Sequence, residues 1–388
     1  MTFRAALVFQ ILRCMNRSTP PRQLQVFRLS MGHPGDLSAL AELMDTGRVR
    51  ADEVVAVIGK TEGNGGVNDF TRGYFTQSLM HLLGERLGRP PAELQRELPC
   101  VLSGGTEGVL SPHYSVFVRS EATADASTGP ALAIGRAFSP ATPAAEIGRW
   151  AQVRAVARAV REAMADAGIE DPANVCFVQV KAPCVTAARA TAALADGLSV
   201  ASADPNRSMA LSRAAGAFGV ALALGEMADD PALEAGLLTR FDWWCDRAGV
   251  STGIEVEANE VVLLGHSIHW RGPLRMACEP MVDALDLPAV VRALAKLGLV
   301  ATPQLGEPDR ARIAAALIKC EPDRRGEIRG ARHTMLDDTD INAQRHIRAA
   351  LGGLVAGVLG DGRIFVSGGA EHQGPDGGGL VAVIAEAP

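Results

Sequence analysis

A serine opens the same five-residue pattern, Ser-x-Gly-x-Glu, three times in this chain. The copies are Ser103-Gly104-Gly105-Thr106-Glu107, Ser251-Thr252-Gly253-Ile254-Glu255 and Ser367-Gly368-Gly369-Ala370-Glu371. A mostly apolar stretch precedes each, clearest in Cys100-Val101-Leu102 and Ile364-Phe365-Val366. Upstream of every serine, a lysine ends an apolar, strand-like run: Val54 to Lys60, Val175 to Lys181 and Ala316 to Lys319. Between lysine and serine each unit also carries an arginine on a helix-like segment, namely Arg72, Arg213 and Arg348. The order Lys, Arg, Ser thus recurs three times, with variable gaps. Internal repetition constrains architecture before any local assignment does. The period is too long for a solenoid, so the chain reads as three fused subdomains around one site. Such a site suits a ligand that presents the same group three times.

The units mix β-rich apolar runs with helical stretches, an α+β rhythm. Repeat A spans 23–122, with helices over Leu37 to Thr46 and Phe70 to Leu87 and a strand over Ser115 to Val118. Repeat B spans 131–269. It begins with a strand over Ala131 to Ile134 and a long helix from Pro143 to Ala167. Helices over Thr186 to Asp196 and Ser208 to Met227 and a strand over Glu260 to Leu264 follow. Repeat C spans 274–388, with helices over Pro288 to Leu297, Glu307 to Ile318 and Asp338 to Leu359, and a terminal strand over Leu380 to Ile384. The Ser120 to Pro130 stretch is a linker by composition, and a second break falls near His269 to Pro273. Residues 1–22 read as a disordered N-terminal extension. Arg4 and Arg13 flank a short apolar stretch there, but Gln10 interrupts it and no small-residue cleavage site follows, so it does not meet the pattern of a secretory signal.

Composition narrows the function. With 388 residues, 47% apolar and 21% charged, the chain has enough apolar content for a sizeable core. A net charge of -6 with no long basic run argues against a nucleic-acid partner. No apolar run reaches the roughly 18 residues of a membrane helix. Seven cysteines (14, 100, 176, 184, 245, 278 and 320) form no Cys-x-x-Cys pair, which fits a reducing cytoplasm better than a disulfide framework or a zinc site.

Familiar catalytic motifs are missing. Gly59-Lys60-Thr61 looks like the end of a phosphate-binding loop, but Val54 stands where that loop needs glycine. Gly63-Asn64-Gly65-Gly66 reads as a turn. No zinc-hydrolase histidine spacing and no Gly-x-Ser-x-Gly elbow occurs. What remains is serine with lysine. Lysine can act as a general base only when neutral, so its pKa must fall through burial or nearby like charge. The plain alternatives are a solvated lysine at a strand end and a serine that merely caps backbone. Threefold recurrence favours the chemical reading. The glycine-rich loop His372 to Gly379 could turn backbone carbonyls toward a hard cation such as Mg²⁺ or Ca²⁺, with Glu321 as a charged ligand, or it is only a loop.

Four stretches are long and unusual: Ile58 to Gly65, Leu102 to Gly108 continuing through Ser111-Pro112-His113, Arg332 to Leu336, and Ser367 to Pro375. Through them the chain resembles the cyanuric acid hydrolase and barbiturase family, from about Gln25 to the C-terminus. The resemblance implies three structurally similar repeats around a pseudo-threefold axis, with the active site at the centre. It implies ring opening of a small cyclic amide, cyanuric acid to carboxybiuret and then biuret, with barbituric acid as the alternative substrate. Ser251 would be nucleophile and Lys181 its base. Substrate contacts would come from Lys60, Arg72, Ser103, Gly104, Arg213, Thr252, Lys319, Arg348, Ser367 and Gly368. A structural Mg²⁺ or Ca²⁺ would be held by Glu321, Ala370, Gln373, Gly374, Pro375 and Gly378, with no organic cofactor. A cytoplasmic homotetramer is also implied. Thr252 departs from the smaller residue expected beside the nucleophile. The Ser-Gly-Gly of the third repeat matches the first and favours cyanuric acid, with the selecting contact sought over Asn342 to Arg348. A non-catalytic, threefold small-molecule binding protein is the rival of another class.

Overall fold

A computed structural model of the protein describes residues 21–122 and 129–388. Its three large sheets share one strand order. The first runs β3 (Cys100–Gly104), β2 (Val54–Thr61), β4 (His113–Glu121), β1 (Arg22–Ser30), with the short β9 (Trp270–Arg271) on its edge. The second runs β7 (Ala248–Gly253), β6 (Val175–Pro183), β8 (Ala258–Ser267), β5 (Ala131–Ala141). The third runs β14 (Phe365–Gly368), β11 (Ile313–Cys320), β15 (Gly379–Glu386), β10 (Leu274–Met281). A two-stranded ribbon, β12 (Glu327–Ile328) with β13 (Ala331–Arg332), lies apart.

In each sheet the lysine-bearing strand is parallel to the serine-bearing strand and antiparallel to its other neighbour. Each lysine strand also carries a register shift near its start, at Val54/Ala56, Val175/Phe177 and Ile313/Ala315. Parallel neighbours need a crossover, and here the crossovers supply helices. Among the described residues, the helices of eight or more residues are α1 (Ser38–Asp45), α2 (Thr71–Leu87), α3 (Trp150–Ala167), α4 (Ala187–Ala195), α5 (Pro205–Ala223), α6 (Leu287–Lys296) and α7 (Ala343–Leu359). Arg72, Arg213 and Arg348 sit on the crossover helices α2, α5 and α7. Ile58 and Val101 of the first sheet, Val178 and Val180 of the second, and Leu317 and Phe365 of the third meet in one core. The other faces of the first and third sheets pack on their own helices.

Several expected boundaries move. The helix over Glu307 to Ile318 is only a short turn, Glu307–Ala311, followed by β11. Ala314 to Ala316 favour helix intrinsically, but the segment is wedged between β14 and β15, where burial decides. The long helix starts at Trp150 and not at Pro143, and the last one at Ala343, behind the Asn342 cap, and not at Asp338. Asp204 caps α5, which starts at Pro205, three residues before the expected start at Ser208. The stretch near His269 to Pro273 lies between β8 of the second sheet and β10 of the third, and carries the edge strand β9, paired with β1 and anchored by the buried Trp270. Arg22, placed in the N-terminal extension, opens β1; residues 1–20 lie outside the described residues. Ser120 and Glu121, placed in a linker, finish β4, and 123–128 lie outside the described residues. No helix among the described residues is long and apolar enough to cross a membrane. The six described cysteines are free thiols.

Candidate active site

The register of the parallel pairs sets each lysine beside its serine: Lys60 opposite Ser103, Lys181 opposite Ser251 and Lys319 opposite Ser367. All three lysines are fully buried, at 0%, 1% and 1% exposure, so none is a solvated strand terminus. A small pocket opens where the serine strands converge. Ser103, Ser251 and Ser367 wall it together with Arg72, Arg213 and Arg348. Gly104, Thr252 and Gly368 also line it, as do Gly65, Leu102 and Met209, for which the sequence offered no role. Lys60 and Lys319, expected among the substrate contacts, stand behind this wall. They donate to Ser103 Oγ (3.2 Å) and Ser367 Oγ (3.0 Å).

The glutamate that closes each motif holds the ring of arginines. Arg72 Nε donates to Glu255 Oε1 (2.7 Å). Arg213 donates through Nε and Nη2 to both oxygens of Glu371 (2.7 Å each). Arg348 does the same to Glu107 (3.0 and 2.5 Å). Each arginine therefore binds the glutamate of the next unit, and the pairs close a cycle. Glu107, Glu255 and Glu371 received no role from the sequence, although their recurrence at the fifth motif position was the available signal. These pairs leave Nη1 of Arg213 and Arg348 without a carboxylate, beside the pocket.

The three units differ in detail. Lys181 Nζ donates to Leu102 O (2.9 Å) and Thr252 O (3.3 Å) and meets Glu255 Oε1 at 2.7 Å. Ser251 Oγ is buried with no hydrogen-bond partner, and so is Glu255 Oε2. Burial lowers the pKa of every lysine. Lys319 falls to about 7, with Arg213 pushing the same way. Lys60 falls well below the usual lysine range, with Arg348 assisting. Lys181 is lowered by burial against the pull of Glu255, and Arg72 adds to the lowering. Burial works to raise the Glu255 carboxyl, but Lys181 and Arg72 outweigh it and hold it at about 2.

The loop after Ser367 has the chemistry of a hard-cation site in part. Burial, then the charge of Glu371, pushes Glu321 up to about 7, as expected for a carboxylate short of positive charge. Arg324 already bonds it at 2.9 Å. The carbonyls of Ala370, Pro375 and Gly378 each accept one backbone N–H, leaving a lone pair apiece. Gln373 Oε1 instead accepts from Val250 N (2.6 Å), so the amide side chain ties this loop to the second serine strand and only its carbonyl could face a cation. Gly374 has φ +112°, and a Cβ there would sit 2.4 Å from Gly379 O, which fixes glycine at that turn. Glu226, Cys245 and Asp246 form a separate acidic cluster, which Arg247 neutralises through both carboxylates.

Comparison with known proteins assigns the class. The family model described as amidohydrolase ring-opening protein matches residues 25–386, and the chain belongs to that family. A cyanuric acid amidohydrolase of Azorhizobium caulinodans is 50% identical over 362 residues, covering 93% of this chain and 98% of its own. One from Bradyrhizobium sp. strain ORS 375 is 46% identical over 371 residues, with 95% and 99% covered. A solved cyanuric acid hydrolase superposes with a TM-score of 0.90 at 43% identity, covering 95% of this chain and all of that one. The solved enzyme of A. caulinodans gives 0.87 at 49% identity, with 94% and 99% covered.

Proposed function

We propose that this chain hydrolyses cyanuric acid by ring opening. The observation that carries the reading is the pocket walled by three serines and three arginines, matching a ring that presents three carbonyls. Identical strand order and the cyclic arginine–glutamate pairing support three similar repeats about a pseudo-threefold axis, with the pocket at its centre. Ser251 is the nucleophile and Lys181 its base. In support, Ser251 has the one serine hydroxyl of the three that is not engaged by a lysine. Neutral Lys181 takes the Ser251 proton as Oγ attacks a ring carbonyl. It then gives that proton to the departing ring nitrogen, and the C–N bond breaks to leave a carbamoyl ester on Ser251. Water attacks the ester, Lys181 takes its proton and returns it to Ser251 Oγ, and carboxybiuret leaves and loses CO₂ to give biuret. Ser103 and Ser367 hold the other two carbonyls. Arg72, Arg213 and Arg348 stabilise the negative charge that develops on the ring.

Glu321, with carbonyl oxygens of Ala370, Gln373, Gly374, Pro375 and Gly378, would hold a structural Mg²⁺ or Ca²⁺. The cation would supply positive charge that orders the loop following Ser367, outside the chemistry. Free cysteines support a cytoplasmic setting, and we extend the reading to a homotetramer. Incubation with cyanuric acid and, separately, barbituric acid tests the activity. Biuret from the first with little turnover of the second is expected. Comparable specificity constants would reassign the enzyme to barbiturase chemistry, and no turnover of either would leave a binding protein.

A further inference from the structure

The strand that carries Ser251, β7, lies at the edge of its sheet and pairs with β6 on one side only. Alternate residues of a paired strand turn their backbone groups toward the neighbour. Val178 N donates to Arg247 O across this pair, so Arg247, Gly249 and Ser251 face β6. Val250 therefore turns both of its backbone groups to the open edge, and the third unit meets both. Gln373 Oε1 accepts from Val250 N at 2.6 Å, and Lys319 Nζ donates to Val250 O at 2.8 Å. Gln373 is fully buried, and its Nε2 donates to Gly369 O (3.3 Å) and Glu371 O (3.4 Å), which aims the amide oxygen at Val250. The other two serine strands are held less completely. Among the described residues, a side chain bonds only the carbonyl of Leu102, the residue before Ser103, from Lys181 Nζ at 2.9 Å. None bonds either backbone group of Val366, the residue before Ser367.

We propose that Gln373 and Lys319 are positioning residues for Ser251, clamping the peptide groups on either side of Val250 so that the hydroxyl keeps its place beside Lys181. The inference rests on Ser251 being the nucleophile of the proposed reaction. Ser103 and Ser367 are held directly, each by its own lysine, whereas Ser251 Oγ has no hydrogen bond to fix it. Its position is therefore set by the backbone, on a strand with one free edge. Displacing a reacting group by about 1 Å can cost on the order of a hundredfold in rate, so that edge has to be held. The clamp comes from a distant part of the chain, 69 residues away for Lys319 and 123 for Gln373. Lys319 thus serves two serines, Ser367 by direct contact and Ser251 through Val250. Glu371, two residues before Gln373, binds Arg213, so one loop sets both an arginine of the ring and the backbone of the nucleophile.

The test is the split between kcat and KM for cyanuric acid in Gln373→Met, whose side chain has similar length but no amide oxygen. Its kcat should fall about 10- to 100-fold while KM stays within about twofold, because the ring still binds but the hydroxyl is loosely held. Lys319→Met is placed in a Ser367→Ala background, where the lysine has no serine left to act on directly. A further fall in kcat of about tenfold is expected there from release of Val250 O. Wild-type kcat in Gln373→Met, a loss confined to KM, or no further fall in the Lys319 double variant overturns the proposal. If Gln373→Met does not fold, Gln373→Asn, which keeps the amide one methylene short of Val250, carries the same expectation. Ser251→Ala is assayed alongside: if it remains active, the nucleophile is misassigned and the clamp falls with it. If it is dead while the Gln373 variant keeps wild-type kcat, only the clamp is lost.

Discussion

The second unit and its two counterparts use the same residue types at the same strand positions, yet their contacts differ. In the first and third units the lysine donates to its serine, and a guanidinium grips both oxygens of the motif glutamate. In the second, Glu255 is shared between Arg72 and Lys181, and Ser251 is left unengaged. Sequence symmetry therefore builds the pocket, and the placement of one carboxylate breaks that symmetry beside Ser251, the nucleophile of the proposed reaction. An orphaned buried hydroxyl costs about 1–3 kcal/mol, an expense easier to understand at a nucleophile than at a binding group.

The largest effects should divide the serines along that line. Ser251→Ala and Lys181→Ala are expected to lower kcat by about 10³-fold or more, whereas Ser103→Ala and Ser367→Ala each remove one donor and cost about 10²-fold. Steady-state biuret formation measures this. Equal residual activity in all three serine variants would show that the broken symmetry has no catalytic meaning.

The glutamates come next. Replacing Glu107, Glu255 or Glu371 with glutamine leaves a buried arginine short of its partner, a change worth about 3–5 kcal/mol for such pairs. Chemical denaturation should register all three, but Glu255→Gln should also lower kcat, because it alone touches a lysine. Acid sharpens the same contrast. The Glu255 pKa is depressed, so its stabilisation is full above the ordinary carboxylate range near 4.5 and is lost as pH falls toward about 2. Wild type should therefore lose stability over that window, and Glu255→Gln should lose less. If all three variants match in kcat and in acid response, the second unit is not special.

Much of this arrangement was legible in the sequence, because its evidence was local. Ser, Lys and Arg recur in fixed order, and the apolar runs ending at Lys60 and Lys181 are the strands the structure contains. The Ala314 to Ala316 stretch misled because its alanines carry helix propensity, and only the flanking strands β14 and β15 fix it as β11. The roles of Glu107, Glu255 and Glu371 were hidden because each acts on an arginine of another unit, 241, 183 and 158 residues away in the chain.

The third unit has a feature absent from the second, the Glu321 loop. If that loop holds Mg²⁺ or Ca²⁺, exhaustive chelation should lower Tm by roughly 5 °C, for about 2.7 kcal/mol of linkage at a hundredfold excess over Kd. Glu321→Ala should then melt where the chelated wild type does and respond no further to chelator. Gln373 joins the loop to Val250, one residue before Ser251, so some loss of kcat should accompany the fall. Unchanged melting in a preparation shown to be metal-free would make the loop a purely covalent turn.

The smallest expected effect concerns the position after each serine, where the first and third units have Gly104 and Gly368 and the second has Thr252. All three positions line the pocket, and only the second carries a side chain. Its hydroxyl accepts from Arg213 Nη1 at 3.4 Å, a long bond whose net worth is below about 1 kcal/mol. Thr252→Ser keeps the hydroxyl and should stay close to wild type. Thr252→Ala removes the bond and should lower kcat/KM by no more than about fivefold, the equivalent of that energy. Thr252→Gly restores the symmetry of the pocket wall without moving Glu255. If symmetry of the wall mattered to catalysis, the glycine variant would change kcat more than the alanine variant does. If the asymmetry resides in Glu255 and Lys181, both variants will leave kcat nearly unchanged and shift only KM.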